Sequence, residues 1–482
     1  MFSQSPFFRA GPVLCAISLA TSALPARGAE KSDADRLERL EKAVELLQQR
    51  NAELEQEVKS LKKQKTSAPA LSEEKKSKFV RDTKSYAEKS ETTEEEKPVY
   101  VVPGASEIKL TLGGLLQTQY EVGDVSAFEG RFGSSAIDDR FRLRRARINV
   151  TGDFADEFDF KLEGEFAQSD LALTVRDSTG RTLASNSTRT SFGALDIFAN
   201  WHRFPEFNIK VGQFKAPFGM EQLSSDPKLF TIERSQVTNA LTPERQIGVQ
   251  IWGQPLAGVL PEQKDLLTYF AGVFNGNGRN ITVNDNNEYM YAGRLELQAL
   301  KAKIFNQDAT IKLGANGLTS RDESGTVLSP AGNVRVTSDG SLASFSAPSA
   351  AKREAYGVDA AFHLGPFDLV AEYINERFSP RTMNGVAPPF QEFEADGYYI
   401  QGSYFIIPKK LQLVTKYESF NPGQVANDDL QSFSAGLNYY IHGDDIKILA
   451  HYIHTWSDFR DANPALGRAE FDEFILRLRV MF

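Results

Sequence analysis

The sequence predicts an all-β protein, a transmembrane up-and-down antiparallel β-barrel of about 16 strands preceded by an N-terminal coiled-coil helix. Residues alternate between apolar and polar with period two from about residue 108 onward, which is typical of strands that face two different environments. The connections between these runs are alternately short and long, as in an up-and-down barrel. No stretch approaches the roughly 20 apolar residues of a membrane helix, so any membrane crossing must be made by strands.

The N-terminus has the pattern of a secretory signal peptide, predicted to cover residues 1–28. An apolar run of small residues from Gly11 to Ala23 is followed by Ala26 and Gly28, which suit signal-peptide cleavage. The single cysteine, Cys15, lies in this segment, so we expect a mature chain without thiols. That would exclude disulfides, cysteine metal sites and cysteine nucleophiles.

Residues 31–65 show a heptad spacing that predicts a parallel coiled-coil helix. Apolar residues and one asparagine recur in alternating steps of three and four, and residues of opposite charge occupy the flanking positions. An isolated helix of this length would be only marginally stable in water, so the apolar stripe implies that the helix packs against partner chains. The rules known from coiled-coil peptides favour a coil of two helices, whereas attachment to a barrel favours a coil of three. The sequence leaves both alternatives open. The predicted oligomerisation residues are Leu37, Leu40, Val44, Leu47, Asn51, Leu54, Val58 and Leu61.

Residues 66–105 are rich in Lys, Glu, Ser and Thr and are predicted to form a disordered tether, because they supply too little apolar surface to order themselves. The barrel domain is predicted over residues 106–482. An even number of strands would put both of its ends on the side of the short turns, which would be the periplasm and would hold the coil. About 16 strands would also leave an aqueous channel inside.

The last strand shows the alternation most clearly. Its apolar residues share one parity, whereas Arg477 and Arg479 share the other, so lipid would lie on one face and a wet lumen on the other. The alternative is an ordinary amphipathic last strand of a soluble sandwich. We expect the apolar residues to form the membrane-assembly signal of the barrel: Phe474, Leu476, Leu478, Val480 and Phe482.

Five arginines fall within eight residues, in the run Arg140-Phe141-Arg142-Leu143-Arg144-Arg145-Ala146-Arg147-Ile148. Simple alternation cannot point all of them into the lumen, because Arg145 and Arg147 share parity with Phe141. A β-bulge near Arg144 and Arg145 would resolve this conflict and turn most of them inward. The alternative is a set of rim arginines that bind anionic lipopolysaccharide.

The chain is similar to the phosphate-selective porins of the O and P type. The residues that carry the resemblance are this run, Val211-Gly212-Gln213-Phe214-Lys215-Ala216-Pro217-Phe218-Gly219, Glu233-Arg234 and Arg245. The resemblance covers residues 106–482. It implies a trimeric outer-membrane barrel, passive diffusion, a third loop folded into the lumen and a basic track that guides anions. On that basis the constriction loop is expected at residues 215–244, with Lys228 and Arg234 as its basic members. The expected track is Arg142, Arg144, Arg145, Arg147, Arg294, Lys447, Arg477 and Arg479.

Two classes of function follow. The first is a diffusion pore for small anions, phosphate or polyphosphate in particular, with the coil as a trimer clamp. Arginine offers bidentate donors to phosphate, and a ring of cations raises the local anion concentration. Carboxylates of lumen parity nevertheless predict a mixed lumen. The second class is a structural anchor whose coil ties the outer membrane to the cell wall or to a periplasmic partner.

No catalytic or metal-binding residue and no cofactor is expected, because the five histidines include no pair at a helical metal spacing. The formal net charge of −9 does not favour nucleic acid as a partner. The expected partners are small anions, outer-membrane lipid, lipopolysaccharide and further copies of the chain in a homotrimer. The expected location is the bacterial outer membrane, with the coil in the periplasm.

Overall fold

The computed structural model describes the chain in segments. The described residues are 99–101, 109–123, 125–126, 131–132, 139–169, 175–176, 182–184, 190–284, 286–321, 334–336, 342–344, 351–382, 385, 390–424, 426–464 and 468–482. The predicted signal peptide and the coil, including its oligomerisation residues from Leu37 to Leu61, lie outside this part of the chain and stay predictions. Of the predicted tether, residues 99–101 are described, and they form a strand.

One antiparallel sheet of 17 strands forms the body of the described structure. One of its members, Val99–Val101, is short, and the other 16 are the strands of a barrel. They are β1 (Lys109–Gly123), β2 (Arg140–Phe154), β3 (Phe158–Ser169), β4 (Thr190–Phe204), β5 (Phe207–Lys215), β6 (Arg245–Gly253), β7 (Leu267–Phe274), β8 (Met290–Ile304), β9 (Gln307–Arg321), β10 (Ala351–Leu364), β11 (Phe367–Pro380), β12 (Phe393–Ile407), β13 (Leu411–Asn421), β14 (Leu430–His442), β15 (Ile446–Ser457) and β16 (Glu470–Met481).

The sheet closes on itself at β1. Leu115 of β1 lies opposite Arg147 of β2 on one side and opposite Met481 of β16 on the other. The other barrel strands pair with their neighbours in sequence. Val99–Val101 pairs with Lys109–Thr111 on the side of β1 where β16 has already ended. The predicted up-and-down barrel of about 16 strands is therefore confirmed, and closure pairs both edges of the sheet.

Side chains alternate between the two faces of the barrel wall, as the sequence pattern predicts. In β16, Leu476 and Leu478 are 43% and 42% exposed, whereas Arg477 and Arg479 are at most 1% exposed. Large apolar side chains thus cover the outer surface and charged side chains point inward, the reverse of a water-soluble barrel. This distribution fits a lipid-facing wall around a polar lumen.

The connections alternate in length around the barrel. On one side they are tight, as between β8 and β9, where Phe305 and Asn306 form a two-residue turn with φ values of 52° and 59°. Positive φ at both positions matches the twist of a two-residue hairpin. The exception on this side is the connection between β6 and β7, which holds the 3₁₀ helix Pro261–Leu266. Both ends of the barrel lie on the tight-turn side, because its strand number is even.

Long connections lie on the opposite side, and three of them contain short hairpins. These are Val125–Ser126 with Arg131–Phe132, Val175–Arg176 with Thr182–Ala184, and Val334–Val336 with Leu342–Ser344. The helices on this side are α1 (Met220–Leu223), the 3₁₀ helix Asp226–Lys228, α2 (Gln236–Leu241) and α3 (Asp458–Ala462). No helix in the described part of the chain is long and apolar enough to cross a membrane.

Candidate functional site

The connection between β5 and β6, residues 216–244, lies inside the barrel, and we call it the lumen loop. Asn438 Nδ2 of β14 donates a hydrogen bond to the carbonyl of Phe230 at 2.8 Å, and Lys416 Nζ of β13 donates to the carbonyl of Glu233 at 3.2 Å. In the ring of 16 strands, β13 and β14 stand opposite β5 and β6. The loop therefore crosses the lumen from one wall to the other.

Two apolar clusters hold the lumen loop against the wall. Val237 and Leu241 of α2 are fully buried in a cluster that includes Phe420 of β13. Ile232 is buried in the second cluster, which includes Leu449 of β15. Burying an aliphatic side chain of this size contributes about 1.5–3 kcal/mol. The loop is thus packed into place on the wall.

Carboxylates of the wall bind the backbone of the lumen loop. Glu372 of β11 accepts hydrogen bonds from the N–H groups of Met220 and Glu221 at 2.6 and 3.0 Å. Glu418 of β13 accepts a hydrogen bond from the N–H of Gln236 at 2.9 Å. These N–H groups open α1 and α2, where a helix offers them no partner of its own. The wall therefore caps α1 and α2 of the loop.

Arginines of β2 reach the lumen loop because a β-bulge turns them inward. Gln117 of β1 pairs with Arg145, and the next residue, Thr118, pairs with Leu143, so Arg144 is the extra residue of the bulge. The bulge lies where the parity conflict of the sequence predicts it.

Glu233 of the lumen loop is surrounded by three arginines. Arg144 binds it with two hydrogen bonds, from Nε to Oε1 at 2.9 Å and from Nη2 to Oε2 at 3.0 Å. Arg477 of β16 donates to Oε1 of Glu233 and to the carbonyl of Ile232. Arg145 Nη2 lies 3.8 Å from Oε2 of Glu233. The carboxylate thus joins the loop to β2 and to β16.

Asp226, in the 3₁₀ helix of the lumen loop, is also surrounded by three arginines. Arg145 Nη2 and Arg234 Nη1 lie 3.1 and 2.6 Å from its Oδ1, and Arg147 Nη1 donates to its Oδ2. Arg147 also binds Glu165 of β3 at 2.6 Å. Five different arginines share the two loop carboxylates, for a formal charge of +5 − 2 = +3, or +2 when Glu165 is included.

Burial alone would raise the pKa of Asp226 and of Glu233. The charge of Arg145 and its neighbours instead holds the pKa of Asp226 well below its usual value, and the charge of Arg144 and its neighbours does the same for Glu233. Both carboxylates are therefore ionised at neutral pH, and the ion pairs that dock the loop are formed.

Two other predicted track residues lie beside this cluster. Arg479 lies opposite Lys447 in register and donates a hydrogen bond to the carbonyl of Pro227 in the lumen loop. Lys447 Nζ lies 3.0 Å from Oδ1 of Asp444.

Arg142 and Arg294 have partners outside the lumen loop. Arg142 Nη1 lies 3.5 Å from Oε1 of Glu121. Arg294 binds both oxygens of Asp359 at 2.5 and 2.9 Å and Glu296 at 2.9 Å, all on the wall formed by β8 and β10. The structure thus gathers four of the eight predicted track residues around the loop carboxylates and two beside them, whereas Arg142 and Arg294 bind carboxylates of the wall.

The two predicted basic residues of the loop differ in their surroundings. Lys228 ends the 3₁₀ helix and is half-buried. Arg234 binds Asp226 and donates to the carbonyls of Glu221 and Ser224 at 3.1 and 2.7 Å, so it stabilises the loop from within.

The sequence motifs include Glu233 without giving it a role and do not include Asp226, because an anion site is expected to be built from cations. A signal was present, since a loop that folds onto an arginine-rich strand needs counter-charges. Lys215 and Arg245 flank the lumen loop; both belong to the motifs that carry the family resemblance, but the predicted track does not include them. Lys215 Nζ donates to the carbonyl of Ser224 at 2.9 Å, and Arg245 binds a carboxylate of β4 at 2.6 Å.

The family of this chain is identified by its similarity to known proteins. Porin O of Pseudomonas aeruginosa is 23% identical over 431 residues, which cover 78% of this chain and 89% of that protein. Among solved structures, a loop-deletion mutant of OmpT, an outer membrane protein of Vibrio cholerae, is 11% identical, with 78% and 99% of the two chains covered and a TM-score of 0.49. An anion-selective porin from Comamonas acidovorans is 13% identical, with 78% and 100% covered and a TM-score of 0.48. The family model for phosphate-selective porin O and P matches residues 115–482. The chain therefore belongs to the phosphate-selective porin O and P family and is a porin of the bacterial outer membrane.

Proposed function

We propose that this barrel lets small anions, phosphate or polyphosphate in particular, diffuse passively across the outer membrane. The observation that carries the proposal is the surplus of positive charge where the lumen loop meets the wall, with five arginines around two carboxylates. In a narrow, partly dehydrated channel such a surplus concentrates anions and repels cations. Membership of the family supports the choice of anion.

The proposed basic track follows the walls of β2, β15 and β16. The guanidinium forks of the arginines suit a phosphate group, which could exchange partners along them by bidentate hydrogen bonds. Arg294 would contribute from the opposite wall, and less strongly, because Asp359 and Glu296 already bind it. The proposed members are Arg142, Arg144, Arg145, Arg147, Arg294, Lys447, Arg477 and Arg479.

The lumen loop is the proposed constriction, with Lys228 and Arg234 as its basic members. The two apolar clusters and the helix caps on the wall support this role, because a loop fixed at several points narrows the lumen permanently. Its carboxylates would set the strength of the site by competing with a solute anion for the same arginines.

We further propose that the protein works as a homotrimer in which the coil of residues 31–65 clamps the subunits. The apolar outer wall would face lipid, and lipopolysaccharide would surround the rim of long loops. A second role as an anchor, with the coil tied to the cell wall or to a periplasmic partner, is supported by the same heptad pattern and is compatible with the pore.

The test is the zero-current potential of the purified protein in a planar bilayer under a salt gradient, with and without phosphate. Anion-selective steps that millimolar phosphate blocks are the expected result. Open channels without anion preference would contradict phosphate as the solute. A correctly folded protein that gives no channel current would favour the role as an anchor.

The role of the track arginines can be tested by comparing substitutions inside and outside the track. Arg144→Gln and Arg477→Gln are expected to lower the ratio of anion to cation permeability several-fold, because each removes a cation of the cluster. Arg203→Gln removes the same charge from the tight-turn rim, where the side chain is 58% exposed, and should leave the ratio unchanged. Equal ratios in all three variants would contradict the track.

A further inference from the structure

A row of four side chains crosses the lumen side of the wall formed by β6, β7, β8 and β9. Trp252 lies opposite Phe270, Phe270 lies opposite Arg294, and Arg294 lies opposite Asn316. They point inward, since Arg294 is 2% exposed, whereas its neighbour Leu295 on the outer face is 54% exposed. We call these four residues the wall row. They stand on strands other than β2 and β16, which carry the arginines around the loop carboxylates.

The wall row lies between the lumen loop and the tight-turn side of the barrel. Leu318, two residues beyond Asn316 toward the long-loop side, belongs to the apolar cluster that holds the lumen loop. Trp252 is the last residue but one of β6, which ends at Gly253 on the tight-turn side. A solute that enters past the long loops would therefore meet the row after the lumen loop, on its way to the periplasm.

Two members of the row form an aromatic surface. The rings of Trp252 and Phe270 are 13° from parallel, with centroids 6.2 Å apart. The indole N–H of Trp252 donates a hydrogen bond to Oδ1 of Asn200 at 3.0 Å, which fixes the orientation of the ring. Strands of an aqueous barrel turn mainly polar side chains to the lumen, and two neighbouring aromatic rings depart from that rule. Such rings offer a large apolar contact to the carbon skeleton of an organic solute and add little for inorganic phosphate.

The amide of Asn316 is buried without hydrogen bonds. Neither its Oδ1 nor its Nδ2 has a hydrogen-bond partner among the described residues. The amide lies over Gly357 of β10, where an added Cβ would come within 2.8 Å of Oδ1. A buried polar group without a partner is rare in native proteins, because it gives up its hydration without compensation. An amide offers both donors and an acceptor, which is the combination that hydroxyl groups match.

The charge beside the wall row does not favour a bare anion. Arg294 binds Asp359 and Glu296, so these three groups carry a formal charge of +1 − 2 = −1. The arginine cluster around the lumen loop carries the opposite sign. The wall row therefore suits an uncharged part of a solute, with aromatic rings at one end and an amide at the other.

We propose that the wall row binds the uncharged, hydroxylated body of an organic phosphate, and that the solutes of this porin include sugar phosphates. The sugar ring would pack on Trp252 and Phe270, and its hydroxyl groups would bond to the amide of Asn316. Phe270 and Asn316 are two strands apart, about 10 Å, which is comparable with the length of a hexose phosphate. The inference rests on the proposed anion diffusion, because the track guides the phosphoryl group, and it adds the class of body that this group carries.

The test compares how inorganic phosphate and glucose 6-phosphate block the channel in a planar bilayer. In the parent protein, glucose 6-phosphate should block at a several-fold lower concentration than inorganic phosphate does. The Phe270→Ala and Asn316→Leu variants should lose this difference and keep the block by inorganic phosphate. Asn316→Leu removes an unpaired polar group, so its midpoint of thermal unfolding should not fall. If it does not fold, Asn316→Ala takes its place.

Two matched controls lie outside the row. Tyr291→Ala removes an aromatic ring from the outer face of β8, where the side chain is 52% exposed. Asn463→Leu removes an exposed amide that follows α3. Both variants should keep the preference for glucose 6-phosphate. A loss of the preference in these controls would overturn the assignment to the wall row.

The failure of this inference can be told from the failure of the proposed function. Equal block by the two solutes in the parent, or a preference that survives both wall-row substitutions, would overturn the inference and leave anion diffusion standing. A channel that inorganic phosphate does not block would contradict the proposed function.

The fluorescence of Trp252 tests the wall row independently of conductance. The chain has three tryptophans, so Trp201→Phe and Trp456→Phe leave Trp252 as the reporter. Glucose 6-phosphate should change its emission in the protein folded in detergent, inorganic phosphate should not, and Asn316→Leu should abolish the change. An emission that glucose 6-phosphate leaves unaltered would overturn the subsite.

Discussion

Arg144 and Glu233, 89 residues apart in sequence, are joined by two parallel hydrogen bonds of 2.9 and 3.0 Å. Arg144 is the extra residue of the bulge in β2, and Glu233 lies in the loop between β5 and β6. Because Arg477 of β16 binds the same carboxylate, one side chain fastens the lumen loop to both sides of β1. A substitution of Glu233 should therefore affect the position of the whole lumen loop.

The Glu233→Gln variant should loosen the lumen loop. Removing one partner of a buried ion pair leaves the arginines with uncompensated charge and costs about 3–5 kcal/mol. We expect a lower midpoint of thermal unfolding and noisier single-channel currents. Glu394→Gln is the matched control, because its pair with Arg377 is half exposed and screened by solvent. Quiet currents and parent-like unfolding in both variants would show that the apolar clusters alone fix the loop.

The docking of the loop should persist into mildly acidic pH. A carboxylate with a lowered pKa in the folded state adds stability above its unfolded pKa, near 4, and loses that contribution only as pH falls through the lowered value. Asp226 and Glu233 both have such lowered pKa values. Single-channel conductance in symmetrical salt should therefore stay constant from about pH 7 to about pH 4. A change of conductance state between these values would show that other groups control the loop.

The Gly212→Ala variant should weaken the pairing of β4 with β5. Gly212 adopts a φ of 127°, and an added Cβ would lie 2.2 Å from the carbonyl oxygen of Ile197. Because that oxygen belongs to the backbone, the strands must shift, at a cost of about 2–4 kcal/mol. Unfolding in urea, followed by circular dichroism, measures the loss. Gly317→Ala is the control, since its nearest contact would be 3.9 Å away, and similar losses in both variants would exclude this steric cause.

The Phe482→Ala variant should assemble poorly in the outer membrane. The backbone of Phe482 exchanges hydrogen bonds of 2.8 and 3.1 Å with Gly114, and its ring covers that glycine closely. Losing the ring exposes the closing seam between β1 and β16. The amount of folded barrel in the outer-membrane fraction of cells should fall several-fold. The control is Phe305→Ala, on a tight turn where the ring is 91% exposed, and it should assemble as the parent does.

The alternation of β16 shows why the strand pattern could be predicted. Leu476 and Leu478 face outward and Arg477 and Arg479 face inward because a strand in a membrane barrel meets lipid on one face and a polar lumen on the other. That requirement acts on each residue separately, so the facing of each side chain can be predicted from the sequence. The bulge at Arg144 can also be predicted, because an interruption of the alternation requires an extra residue in the strand.

The partners inside the lumen could not be predicted in this way. Arg294 points into the lumen like the other predicted track residues, yet it binds Asp359 and Glu296 on the far wall. Asp226 and Glu233 look like ordinary loop carboxylates until the loop crosses the barrel and meets β2 and β16.

The class of fold, the face that each strand turns to lipid and the bulge that turns the arginines inward could be predicted from the residues alone, because these features depend on the solvent at each position. Which carboxylates bind which arginines became apparent only in the folded barrel. The reason is that a loop and two walls must first be brought together by closure of the barrel, and parity specifies a face without specifying a partner.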